Sequence, residues 1–209
     1  TFIILWARRN GVKYEFDDFG NVYLTKGELA EGEFYPCVTS HLDTVQDKQD
    51  PYIYAGVPLD LKTERTKEGY HKVSVDANGG AAIGIGADDK SGVCICLSMF
   101  EHLDKLKACF FLQEEVGCKG SSELDKEWFK DVAYVIGWDS PDLYRGAYAS
   151  SQTNLFNYKF YNDHLKEVLD KWGLVKGTLN SEPITDVKYI RQKTNIICMN
   201  FGNGGYLAH

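Results

Sequence analysis

No apolar run in this chain approaches the length of a membrane span, no tract is rich in lysine and arginine, and no two cysteines form a C-x-x-C pair. Each absence excludes a class of protein. A transmembrane helix needs about 20 consecutive apolar residues, so no membrane partner is expected. A formal charge of -7, from 23 Lys and Arg against 30 Asp and Glu, argues against a nucleic-acid partner. The six cysteines, Cys37, Cys94, Cys96, Cys109, Cys118 and Cys198, lie mostly in apolar stretches. They read as small core residues of a reduced protein, with no zinc-ribbon spacing. The opening Thr1-Phe-Ile-Ile-Leu-Trp6 is apolar, but the basic Arg8-Arg9 follows it and no small-residue cleavage site comes next, which is not a signal-peptide pattern. A cytoplasmic location is the expectation. No internal repeat or low-complexity linker divides the chain, so residues 1–209 are expected to form a single domain with a large core.

What is present is an alternation of short β-type runs with helical stretches. A helix is expected to end near Arg9, followed by a hairpin over 12–16 and 22–25 and a strand over Tyr35–Ser40. Residues 46–82 are polar and turn-rich and read as a surface excursion, with strand-like pieces at Pro51–Tyr54 and His71–Val75. Val93, Cys96, Leu97, Phe100, Leu103 and Leu106 recur at helical spacing and predict a helix over Lys90–Lys107. Strands are expected at Ala108–Leu112, Val132–Trp138, Phe156–Tyr161 and Lys193–Phe201, and a helix over Asn162–Leu174. The pattern predicts an α/β fold, a three-layer α/β/α sandwich around a central mixed, mostly parallel sheet.

The chemistry concentrates where these runs end. Gly84-Ile-Gly-Ala-Asp-Asp-Lys-Ser-Gly92 holds two adjacent carboxylates, Asp88 and Asp89, at the start of a helix. Like charges side by side raise each other's pKa unless a cation relieves them. The run sits one residue from the phosphate-loop pattern G-x-x-x-x-G-K-[ST], but Asp89 replaces its second glycine, and carboxylates in that cradle would repel an anion. An acidic turn capping the next helix is the bland alternative. Three strands then end in polar, titratable residues: His41 and Asp43, Glu114 and Glu115, and Asp139. A histidine, His209, closes the sequence. Each alone can be a solvated surface group. Together they make a set of histidines and carboxylates without thiolates, which suits zinc, manganese or cobalt. So many acids exceed the need of one ion, whereas two divalent cations sharing a carboxylate would use them and acidify a water between them.

In order along the chain, His41-Leu-Asp43-Thr, Gly86-Ala-Asp-Asp-Lys-Ser-Gly92, Glu114-Glu115-Val-Gly-Cys-Lys-Gly120-Ser and Gly204-Gly-Tyr-Leu-Ala-His209 resemble the metal-binding motifs of the co-catalytic dinuclear zinc metallopeptidases. The first three look most like peptidase T and the carboxypeptidase G type. The resemblance implies that His41 and Asp139 bind one metal, that Glu115 and His209 bind the other, and that Asp88 bridges them. It also implies that Glu114 is the general base and acid, that Asp43 orients His41, and that the Asp88–Asp89 peptide is cis. The activity implied is hydrolysis of a peptide bond, by an aminopeptidase or a small-peptide hydrolase using two divalent ions, most naturally zinc. Such peptidases carry an inserted lid or dimerisation domain before the last histidine. Asp139 and His209 stand too close in sequence for one, which implies a lidless form like the compact aminopeptidases. Two other readings stay open: a metal-dependent hydrolase of N-acyl amino acids, and a non-catalytic binding protein on this scaffold.

Overall fold

The computed structural model of the chain describes residues 2–45, 60–67, 69–75, 85–140, 146–171 and 179–203. Continuous apolar runs form the centre of its sheet, as expected of parallel strands covered on both faces. β3 (Tyr35–His41) is buried at all but one position and β6 (Leu106–Phe111) at every one. Both pair in parallel, His41 lying opposite Phe111, and β3 pairs in parallel with β7 (Val132–Ser140) on its other side. β11 (Ile197–Gly202) extends this parallel block beyond β7. The hairpin of β1 (Lys13–Phe16) and β2 (Val22–Lys26) adds antiparallel to β6. At the far edge β8 (Gly146–Ser150) runs antiparallel to β11 and pairs with β9 (Thr153–Asn154) and β10 (Leu179–Glu182). The order in this nine-stranded mixed sheet is β1-β2-β6-β3-β7-β11-β8-β10, with β9 on β8.

The alternation of side chains along each strand divides the core in two. On one face Leu24, Val38, Ala108 and Phe110 pack against Ile3 and Ala7 of α1 (Phe2–Arg9) and Cys96, Leu97 and Phe100 of α2 (Ala87–His102). On the other, Tyr23, Cys37, Cys109, Phe111 and Val135 meet Trp128 and Phe129 of a 3-10 turn and Val187 and Ile190 of a helix at Asp186–Thr194. This is the three-layer α/β/α sandwich. Five of the six cysteines are buried, Cys94 is exposed, and all are free thiols.

Several elements depart from the sequence expectation. α2 starts at Ala87 and stops at His102, because Leu103 is extended and Leu106 is buried in β6, where the sheet and not a helix covers it. Phe156–Tyr161 is not a strand: the Asn157 side chain accepts the Phe160 N–H at 2.8 Å, an N-cap that starts a helical run through Tyr158–Phe160, Tyr161–Leu165 and Lys166–Lys171. Lys193 and Thr194 end the helix Asp186–Thr194, so β11 begins only at Ile197. β5 (His71–Val75) pairs with β4 (Leu61–Arg65) in a separate two-stranded ribbon, not in the central sheet. Pro51–Tyr54, Trp172–Leu174 and the terminal Gly204–His209 motif lie outside the described residues. Among the described residues no helix is long and apolar enough to cross a membrane.

Candidate metal centre

The parallel block sets the carboxyl ends of β6, β3 and β7 side by side at one edge, where open α/β sheets place their ligands. β3 delivers His41 as its last residue, 1% exposed. Its Nδ1 lies 2.9 Å from the carbonyl oxygen of Asp43, which can only accept, so a proton belongs on Nδ1 and Nε2 is the ring nitrogen turned toward the acids of the site. Nε2 points at two carboxylates, Asp88 Oδ1 at 2.9 Å and Asp139 Oδ1 at 3.4 Å. The Asp43 carboxylate, expected to orient His41, stands farther from Nδ1, at 3.5 Å. Its oxygens take the backbone N–H groups of Glu114 at 3.0 Å and Glu115 at 3.1 Å, so Asp43 ties the end of β3 to the loop after β6.

That loop is a tight turn. Gln113 and Cys118, on either side of it, have left-handed backbones, and the Gly117 and Cys118 N–H groups both donate to the Glu114 carbonyl. The closure returns the Cys118 thiol to the Glu114 side chain, where Sγ donates to Oε1 at 3.2 Å. At the acidic loop, the Asp88–Asp89 peptide is cis, in agreement with the expectation from the motifs, and Gly86 takes a left-handed φ of 66°. Asp89 is buried and anchors the loop. Its Oδ1 accepts the Gly92 N–H at 3.0 Å and the Asn203 side-chain amide at 2.8 Å, while the His41 N–H approaches Oδ2 at 3.4 Å. A Cβ on Gly92 would lie 2.3 Å from that Oδ1, so only glycine admits this approach.

The six sequence-predicted residues His41, Asp43, Asp88, Glu114, Glu115 and Asp139 therefore come to one edge of the sheet, and His209 lies outside the described residues. Metal-capable atoms of His41, Asp89 and Asp139 lie within 4.8 Å of one another, as do those of His41, Glu114 and Glu115. The electrostatics fit a cation. Burial pushes the carboxyls of Asp139 and Glu114 upward and that of Asp89 to about 7. Burial opposes charge on His41, but its bonds to Asp139, Asp43 and Asp88 outweigh it and raise the imidazole. One imidazole among several acids is a donor set short of positive charge, and a nitrogen–oxygen set of this kind suits a divalent ion.

Sequence reasoning left Asp89, Cys118, Asn200 and Asn203 without roles. Asn203 sits beside the glycines of the last motif, a signal that it lies near the site. Cys118 lies inside the Glu114–Gly120 motif. Nothing in the sequence marks Asn200, one polar residue in an apolar strand.

Neither a protein-family model nor a curated protein matches this chain. Solved structures do. A tripeptidase from Staphylococcus aureus superposes with a TM-score of 0.68 over 100% of this chain and 84% of its own, at 16% identity. The aminopeptidase PepT of Bacillus cereus gives 0.65 over 99% and 85%, also at 16% identity. An aminopeptidase from the archaeon Desulfurococcus kamchatkensis gives 0.58 over 96% and 79%, at 13% identity. At such identity the likeness is one of fold.

Proposed function

We propose that this chain is a dinuclear metal-dependent hydrolase of peptide bonds, an aminopeptidase or small-peptide hydrolase without an inserted lid. The observation that carries the reading is the convergence of His41, Asp88, Glu114, Glu115 and Asp139 at the carboxyl ends of three adjacent strands, with carboxyl groups that burial makes reluctant to ionise. The peptidase names of the similar folds support it. In this reading His41 and Asp139 hold one ion, Glu115 and His209 the other, and Asp88 is shared. When bound, two divalent ions, most naturally zinc, supply the charge that acidifies a water and polarises a carbonyl.

The chain's own residues do the rest. Asp43 holds the His41 ring by its carbonyl and the Glu114–Glu115 backbone by its carboxylate, so one residue fixes the relative place of both ligand-bearing segments. Glu114 takes the proton of the attacking water and passes it to the departing amine. Burial raises its carboxyl above the ordinary carboxylate value, the direction that favours a group able to accept and return a proton. The lidless form is supported by the path after Asp139, where every described strand, β8 to β11, joins the central sheet. Glu114→Gln should retain the metals and lose turnover of a free tripeptide by about two to four orders of magnitude, the usual range for a general base. Full activity in that variant would remove Glu114 as the base, and hydrolysis of N-acyl amino acids but not of free peptides would move the enzyme to the deacylases.

A further inference from the structure

Beside Asp139, three buried polar side chains from three strands bond to one another. Glu182 on β10 is 8% exposed, Ser140 on β7 is 1% and Asn200 on β11 is 1%. Ser140 Oγ donates to Glu182 Oε1 at 2.5 Å, and Asn200 Nδ2 donates to Glu182 Oε2 at 3.1 Å and to Ser140 Oγ at 3.2 Å. A carboxylate can only accept, so Glu182 turns the NH2 side of the Asn200 amide toward itself. The amide oxygen must then face the other way, where it accepts the Asp139 backbone N–H at 3.2 Å. Asn200 also packs on Gly137, where a Cβ would lie 2.7 Å from Oδ1, so any larger residue at 137 would displace the amide or its neighbours. The set continues toward the acidic loop. The Asn203 N–H donates to the Ser140 carbonyl, and the Asn203 side chain holds Asp89.

This arrangement is more than sheet pairing. β10 pairs with β8, and β8 separates it from β11, so Glu182 reaches past a strand to set an amide on β11. Buried polar groups are retained at a cost unless every member is satisfied, and here a buried carboxylate fixes which way the Asn200 amide faces. That side chain meets the backbone of a proposed ligand.

We propose that Glu182 is a positioning residue for Asp139, acting through Asn200 and Ser140 to hold the Asp139 backbone so that its carboxylate faces His41. The inference rests on the metal-site reading above and names the group that keeps the His41–Asp139 half of that site in place. It predicts a selective effect, in which loss of Glu182 weakens one of two metal equivalents and leaves the other.

The test is a zinc titration of the whole chain by calorimetry, comparing wild type with Glu182→Ala and Glu182→Gln. Glu182→Gln can still accept from Asn200 with its amide oxygen while its NH2 meets Ser140 Oγ, so it should bind as wild type does. Glu182→Ala should bind one equivalent normally and the other about 10- to 100-fold more weakly, the range for residues that orient metal ligands. If Glu182→Ala does not fold, Asn200→Ala removes the acceptor of the Asp139 N–H while keeping the Ser140–Glu182 bond and should show the same split. Two unchanged equivalents in a folded variant, or two equally weakened ones, would overturn the inference while leaving the metal site intact. A wild-type chain that binds no zinc would overturn the metal-site reading and this inference with it.

Discussion

At the scale of single residues the site depends on side chains held by groups that are not themselves proposed metal ligands. His41 takes its orientation from a carbonyl, Asp89 is held by Gly92 and Asn203, and Glu114 is held by a thiol. The last is the least expected, because a buried cysteine reads as a small core residue. Cys118 closes its turn with its N–H and holds Oε1 of Glu114 with its Sγ. Cys118→Ala should therefore lower kcat on a free tripeptide several-fold with little change in KM. Cys118→Ser, which restores a hydroxyl donor, should recover it. Equal kcat in both variants would make the thiol a packing group only. The residues legible in the sequence were those at strand ends, where His41, Asp43, Asp88, Glu114, Glu115 and Asp139 interrupt or follow apolar runs. Glu182 and Asn200 were not legible. A polar residue inside a strand acquires meaning only from its neighbours in the sheet, which the sequence does not reveal.

At the scale of elements the sequence was most readable where burial is two-sided. β3, β6 and β7 are apolar along most of their length and were found as strands, whereas β8, the Gly-Ala-Tyr-Ala-Ser stretch at Gly146–Ser150, is buried through small residues that carry no hydrophobic signal. The helix Asp186–Thr194 was missed because it buries only Asp186, Val187 and Ile190, too few for a periodic stripe. Its first residue makes it sensitive to pH. Asp186 is 4% exposed, and burial raises its carboxyl from 3.8 to about 8. Between those values the unfolded chain has released a proton that the folded chain retains, so stability falls as pH rises from about 4 to about 8 and then levels off. Asp186→Asn removes this contribution. In thermal melts of chelator-treated protein the variant should match wild type near pH 4 and melt higher near pH 8. A gap between the two proteins that does not widen with pH would show that Asp186 does not carry this dependence.

At the scale of the molecule, a sheet covered on both faces gives a rigid edge, and the described residues of the candidate site are gathered at that edge. β6, β3, β7 and β11 lie next to one another, so His41, the Glu114–Glu115 turn, Asp139 and Asn203 are placed by the same parallel register. The fold matches those of three solved peptidases with which the chain shares 16% identity or less. The account stands on the premise that these groups gather to hold two cations. Elemental analysis of metal per chain tests that premise most directly, on protein purified without chelator and offered zinc, manganese and cobalt together. The account predicts about two metal ions per folded chain, the loading of a paired site. A folded chain that emerges free of metal would contradict it.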